Sequence, residues 1–141
     1  MVSISVRKSR YSHELISKTG EFVMNLVNCD LAFATDYCGV KSGRDVDKFA
    51  EMKLTKEKAS VVKAPIIAES PVAIECKVEK VLELGTHDMF IARVVAVNVD
   101  DKYMDEKGKF DLRLADPLAY SHGEYYTLGE KLGKFGYSVR K

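Results

Sequence analysis

Two long strand-like runs flank one short turn near the middle of the chain. Val72–Leu84 alternates apolar and charged side chains, whereas Met89–Val99 is apolar on both faces. The intervening residues, 85–88, have the sequence Gly-Thr-His-Asp, which is a turn signal. We therefore predict an antiparallel β-hairpin whose second strand is buried between a barrel interior and another packed layer. One face of the first strand is apolar, and the other carries Glu75, Lys77 and Glu79.

The flanking segments predict shorter elements around this hairpin. A strand at Val2–Val6 is followed by a helix at Tyr11–Lys18, a strand at Glu21–Val27, and helices at Asp30–Tyr37 and Asp45–Met52. Residues from 116 onward are rich in Tyr and Gly and have little periodicity, which predicts an extended, packed tail. This order predicts one domain, residues 1–141, in the mainly β class: a small antiparallel barrel with helical insertions.

The charge and cysteine content exclude several classes of partner. The 141 residues have a net charge of +1, which gives no global attraction to nucleic acid or to a membrane surface. Residues 1–20 and 129–141 each carry four cations and one carboxylate, a pattern typical of solvated chain ends. No segment approaches the ~20 apolar residues of a membrane span. The three cysteines are dispersed, so we expect no metal site, no disulfide framework and a cytoplasmic location.

A cluster of cations and hydroxyls follows the first strand, directly before the first helix. This segment consists of Arg7, Lys8, Ser9, Arg10, Tyr11 and Ser12. Fixed cations, hydroxyl donors and free N–H groups at a helix N-terminus together bind anions, and the natural ligand of such a segment is a phosphate on a small cofactor. Because side chains alternate along an extended chain, we expect only one or two of the cations to face the ligand. The alternative interpretation is a solvated basic turn.

Five separated blocks of this chain resemble the flavin reductase-like family, the FMN-binding split barrels that include flavoredoxins. The blocks are Val2–Ser12, Tyr37–Phe49, Pro65–Glu75, Leu84–Ile91 and Pro117–Tyr126. The resemblance covers essentially the whole chain and implies a Greek-key antiparallel barrel, a bound FMN and a homodimer. In the family, further strands precede the one that matches Val2–Val6, so the chain resembles the family domain without its N-terminal piece.

The resemblance also implies roles for individual residues. It places the FMN phosphate at the segment Arg7–Ser12 and places Lys48 beside the flavin. The sequence itself makes Asp45 the candidate cap of the helix that carries Lys48. His87 would face an incoming nicotinamide, and this is the one catalytic residue that we predict. The alternatives are a capped surface helix for Lys48 and an exposed turn histidine for His87. For Phe49 and Cys38, which lie near the same region, we expect packing roles.

Three functions remain open from the sequence. The first is an FMN-dependent oxidoreductase in which NAD(P)H binds transiently over the flavin, since the chain has no Gly-x-Gly-x-x-Gly fingerprint for a Rossmann site. The second is a flavoredoxin-like carrier that exchanges electrons with a protein partner. The third is a shortened, non-catalytic interaction module.

Overall fold

The computed structural model describes residues 1–140 and is built from eight strands and three α-helices within them. The strands are β1 (Val2–Arg7), β2 (Glu21–Asn25), β3 (Lys56–Glu57), β4 (Ile66–Ile67), β5 (Val72–Leu84), β6 (His87–Val99), β7 (Leu118–Ser121) and β8 (Glu124–Thr127). The helices are α1 (Tyr11–Thr19), α2 (Ala32–Val40) and α3 (Lys48–Glu51). Short 3-10 turns lie at Cys29–Leu31, Asp101–Tyr103, Leu112–Ala115 and Tyr137–Val139.

A four-stranded antiparallel sheet with the order β1-β6-β5-β2 forms the centre of the fold. The long β5–β6 hairpin confirms the prediction from the sequence, although its second strand starts two residues earlier, at His87. Gly85 supplies the positive φ, +76°, that the two-residue turn requires. The pairing register shifts after Glu75 and after Val78, and such irregularities increase strand twist. The sheet curls into a half-barrel, which confirms the mainly β class and the split-barrel prediction.

The concave face of the sheet holds the larger apolar core. Phe90, Cys76 and Ala92 are fully buried there, and Phe22 of β2 and Ile16 of α1 pack against them. The alternating Val2, Ile4 and Val6 of β1 complete this cluster. Helix α1 ends where Gly20 adopts a left-handed conformation (φ +67°) and donates its N–H to the Ile16 carbonyl, as the glycine stop predicts.

The opposite face of the hairpin is covered by the segment between α3 and β5. Ala59, Val62 and Ile66 of that segment pack against Ala73 and form a second apolar cluster. Glu75 belongs to the charged face of the first strand, yet its side chain is completely buried under this segment. Three consecutive backbone N–H groups and one side-chain amide satisfy its carboxylate, which explains how a charge is tolerated there.

The helix boundaries differ from the predicted ones where side-chain capping decides them. Asn28, rather than Asp30, accepts the N–H of Leu31 and starts the 3-10 turn that leads into α2. Helix α2 then runs through Gly39 to Val40 instead of stopping at Tyr37. Helix α3 is a single turn, shorter than the predicted helix at Asp45–Met52, and β2 ends two residues before Val27.

The C-terminal part of the chain is extended, as predicted, but it is not packed. The hairpin of β7 and β8 pairs Leu118 with Thr127, and every residue of β8 is exposed. Beyond it, large apolar side chains lie in solvent, with Leu132 88% and Phe135 fully exposed. The sequence of this segment has too little periodicity to predict which surface would cover these side chains.

Candidate functional site

A cavity of about 1200 Å³ opens between the β1–α1 connection and the segment 41–49. Its apolar floor includes Ile4 and Val6 of β1 together with Phe22 and Met24 of β2. Since β1 and β2 are the two outer strands of the sheet, the curl of the sheet brings its edges to one site. The volume exceeds the ~300–1000 Å³ of most small-molecule sites.

The first wall of the cavity is the start of α1. Arg10 occupies the N-cap position in an extended conformation and makes no side-chain capping bond. His13 donates its N–H to the Arg10 carbonyl at 3.0 Å, which leaves the N–H groups of Tyr11 and Ser12 for a ligand. The hydroxyls of Ser9 and Ser12 and the side chains of Arg7 and Arg10 line the same wall. This donor set fits a phosphate, because it combines a positive helix end with hydroxyl and guanidinium donors.

The opposing wall is a loop that is tied to α1. Arg44 donates to Glu14 at 2.6 Å and lies over the ring of Tyr11, with the guanidinium carbon 4.5 Å from the ring centroid. A Cβ atom at Gly43 would lie 3.4 Å from the Tyr11 ring, so the loop backbone approaches the helix closely. Lys18 also bonds to Glu14, and Lys18 followed by Arg44 lowers the pKa of that carboxyl. The Glu14 carboxylate therefore ties the loop at Arg44 to helix α1.

Lys48 closes the cavity at the start of α3. The cap of this helix is Asp47, whose carboxylate accepts the N–H groups of Phe49 and Ala50; the prediction that Asp45 caps it is wrong. The ammonium of Lys48 donates to the carbonyl of Cys38 at 2.5 Å and so joins α3 to the last turn of α2. This amine lies at the cavity while its charge compensates the carbonyl end of α2.

Most of the predicted cofactor-binding residues line this cavity. They are Arg7, Ser9, Arg10, Tyr11, Ser12 and Lys48. Phe49 and Cys38 also line it, beyond the packing roles that we expected. The sequence interpretation assigned no ligand role to Lys41 or Arg44, although the segment Lys-Ser-Gly-Arg at 41–44 repeats the mixture of cations and hydroxyl found at 7–12. That similarity in composition is the sequence signal that could have identified Lys41 and Arg44 as cavity residues.

Lys8 is the one predicted cofactor-binding residue that lies away from the cavity. Its ammonium is 3.3 Å from Oδ1 of Asp88 and 3.6 Å from the Glu83 carboxylate. Asp88 also pairs with His13, whose Nε2 is 2.7 Å from Oδ2. The bond with His13, opposed by burial and assisted by Lys8, keeps the pKa of Asp88 below its usual value. Lys8 follows β1 in a turn that is closed by the bond from the Arg10 N–H to the Arg7 carbonyl, so the alternation expected for an extended segment does not apply to it.

His87 also lies outside the lining of the cavity. It faces Arg7 across the β1–β6 pair at the start of β6, and its Nδ1 is 2.9 Å from the hydroxyl of Thr86. The side chain is half-buried rather than fully exposed. Its predicted role toward a nicotinamide stays a prediction.

The lining of the cavity has an excess of positive charge. Its cations are Arg7, Arg10, Lys41, Arg44, Lys48 and Lys56, against the carboxylates of Asp45 and Asp47. The site therefore combines an apolar floor for a flat ring system with a cationic rim for an anionic group.

Among residues 1–140, no helix is both long and apolar enough to cross a membrane.

Comparison with known proteins identifies the family. The family model described as "Flavin reductase like domain" matches residues 1–129. An uncharacterized protein of Archaeoglobus fulgidus is 31% identical over 127 residues, which are 90% of this chain and 71% of that protein.

Two solved structures have the same fold. The flavoredoxin of Desulfovibrio vulgaris (Miyazaki F) is 33% identical with a TM-score of 0.87 and covers 97% of this chain and 75% of its own. An FMN-binding protein from Thermus thermophilus is 27% identical with a TM-score of 0.77, over 94% of this chain and 71% of that one. With the family model matched over most of the chain, the protein belongs to the flavin reductase-like family.

Proposed function

We propose that this protein binds FMN in the cavity between α1 and the segment 41–49 and acts as an oxidoreductase with NAD(P)H as the electron donor. The observation that carries the proposal is the uncapped start of α1, with Ser9, Arg10 and Ser12 at the rim of a cavity that has an apolar floor. Membership of the flavin reductase-like family and similarity to an FMN-binding protein support the same cofactor.

The residues of the cavity fit the two chemically distinct parts of FMN. Arg7, Ser9, Arg10 and Ser12 would hold the phosphate, while Tyr11 and Lys48 would border the rest of the molecule. The apolar floor excludes water from the ring. When bound, the flavin supplies hydride and electron transfer, and the protein positions it and tunes its electronics.

A nicotinamide would bind beside the flavin for the time of one transfer. The volume of about 1200 Å³ leaves space for a second flat molecule. Hydride transfer between the nicotinamide and the flavin needs no acid–base pair of side chains. His87 is proposed to contact the nicotinamide, and His87→Gln should then raise the KM for NAD(P)H while leaving FMN affinity unchanged.

A flavoredoxin-like electron carrier is the second candidate. The flavoredoxin of Desulfovibrio vulgaris, at 33% identity over 97% of this chain, is the specific observation in its favour. Such a carrier would hold FMN tightly and exchange electrons with a protein partner. The cavity would be the same, but NAD(P)H would not reduce the bound flavin.

The visible absorption spectrum of the purified protein separates these functions. We expect a flavin band that survives removal of excess FMN and bleaches on addition of NAD(P)H. Bleaching by dithionite alone would favour the electron carrier. Absence of a retained band, together with no NAD(P)H oxidation at saturating free FMN, would contradict both and favour an interaction module.

We further propose a cytoplasmic, single-domain protein that assembles as a homodimer. The exposed apolar side chains of Leu132, Phe135 and Val139 support association, since apolar groups in water favour burial against another surface. Light scattering at micromolar concentration tests this proposal: we expect twice the mass of the chain, and a clean monomer peak would contradict it.

A further inference from the structure

Asp88 is a buried carboxylate that the proposed cofactor site does not use. Its side chain is only 8% exposed, and Oδ1 has no hydrogen-bond partner within residues 1–140. Lys8 is near this oxygen at 3.3 Å, but as a neighbouring charge rather than a hydrogen-bond donor. A carboxylate in this position is costly unless nearby cations compensate its charge.

Two side chains from opposite sides of the phosphate-binding segment lie against this carboxylate, and one of them is the cation Lys8. Lys8 immediately precedes Ser9, and His13 immediately follows Ser12. His13 contacts Oδ2 at 2.7 Å, and its ring packs edge-on against Phe90 with 5.4 Å between centroids. The residues that flank the cavity wall therefore turn away from the cavity and converge on one carboxylate.

Asp88 also lies beside the cavity floor, on the same face of the sheet. It is paired across the strands with Val6, whose side chain lines the cavity floor, and with Glu83 on the other side. The Glu83 side chain is 81% exposed, so solvent screens its charge. The negative charge of Asp88 is screened less, and without its partners it would repel an anion bound at the start of α1.

We propose that His13, through its hydrogen bond, and Lys8, through its charge, are positioning residues that offset the charge of Asp88 and thereby keep the start of α1 attractive to the flavin phosphate. This inference rests on the proposed function, because it assigns the electrostatic control of that same site. It also gives Lys8 a role different from the direct phosphate contact that the sequence suggests.

The alternative is that the pair of His13 and Asp88 only fastens α1 to β6. The two explanations differ in ligand dependence. A loss of neutralisation weakens FMN, which carries the phosphate, and spares riboflavin, which lacks it. A loose helix would weaken both, and removing the charge of Asp88 would not repair it.

The test measures dissociation constants of FMN and riboflavin for a set of folded variants. We expect His13→Leu to weaken FMN about tenfold and Lys8→Met about threefold, with riboflavin changed less than about twofold. Asp88→Asn should bind FMN at least as tightly as the original chain, and should restore FMN binding in both backgrounds. Glu83→Gln is the matched control, since Glu83 contacts Lys8 but is exposed, and it should change nothing.

Equal weakening of FMN and riboflavin, or failure of Asp88→Asn to restore FMN binding, would overturn the inference. If His13→Leu does not fold, the pair Lys8→Met and Lys8→Met/Asp88→Asn carries the same comparison, because the Lys8 side chain is nearly half exposed. Thermal melting of each variant verifies that folded protein is compared.

The unaltered chain separates this inference from the proposed function. If it binds neither flavin, the proposed function fails, and inorganic phosphate becomes the probe for the same variants. Weaker phosphate binding in Lys8→Met that Asp88→Asn restores would then still support the neutralisation of Asp88. Identical phosphate binding in all variants, or none in any, would overturn it.

Discussion

The two faces of the central hairpin each bury a carboxylate, but the two carboxylates differ in how completely they are hydrogen-bonded. Glu75 accepts the N–H groups of Ser60, Val61 and Val62 and the amide of Asn98 at 2.7 to 3.0 Å. Asp88, on the cavity side, has one bonded oxygen and one oxygen with only a nearby ammonium.

The difference separates a structural carboxylate from one that is connected to a binding site. Backbone N–H groups cannot be removed or moved without unfolding a loop, so Glu75 has a fixed environment. The partners of Asp88 are side chains next to the cavity, and their charges act on whatever binds there. We therefore expect changes at Glu75 to alter the stability of the fold and changes around Asp88 to alter ligand affinity.

The largest expected effect is on folding, at Glu75. Glu75→Gln keeps one acceptor oxygen and turns an NH₂ group toward donors that are already buried, which should lower the free energy of unfolding by about 3 kcal/mol. Urea denaturation measures it. Glu69→Gln is the matched control, because Glu69 also accepts a backbone N–H with both oxygens but is exposed, and it should cost under about 1 kcal/mol. Equal losses would contradict the comparison.

The stability difference between the original chain and Glu75→Gln should depend on pH. Burial alone would raise the pKa of Glu75, but the donors of Ser60, Val62, Asn98 and Val61 outweigh it and lower the pKa from 4.5 to about 2. A lowered pKa in the folded state stabilises the fold above 4.5, and this contribution is lost as the pH falls from 4.5 toward 2. Urea midpoints at pH 7, 4 and 3 should therefore converge, and a constant difference would contradict the assignment.

A smaller effect is expected on the cavity face, at Arg44. Arg44→Ala should weaken FMN binding about fivefold, because it removes a partly exposed cation from the rim and releases the loop from Tyr11. Lys18→Ala removes the other partner of Glu14 but lies away from the cavity, so it should change FMN affinity less than about twofold. If both variants behave alike, the effect belongs to Glu14 rather than to the rim. Fluorescence titration with FMN distinguishes them.

The smallest expected effect is at Lys48, which belongs both to the cavity and to the α2–α3 contact. Lys48→Met should lower the free energy of unfolding by about 1 kcal/mol through loss of the bond to the Cys38 carbonyl. FMN binding should also weaken in this variant. Lys56→Met is the control, because it removes another rim cation, one that lies over Phe49 and does not bond to Cys38. A stability loss without any change in FMN binding would limit Lys48 to a structural role.

Local sequence signals predicted the elements whose formation depends on neighbouring residues. The β5–β6 hairpin follows from apolar patterning and a glycine turn, and α1 follows from its periodicity and the Gly20 stop. The position of the cationic segment directly before α1 predicted five of the residues that line the cavity. These successes share one reason, which is that strand alternation and helix periodicity are fixed within a few residues of the chain.

Tertiary structure decided what each polar group contacts. Glu75 meets residues 60–62, and Lys8 and His13 meet Asp88, through pairings between segments that are distant in sequence. Thus the sequence by itself determined the central hairpin, the first helix and the cationic segment before it. Only the tertiary structure decided which charges are satisfied, because burial and partner geometry arise when the sheet curls and its faces are covered.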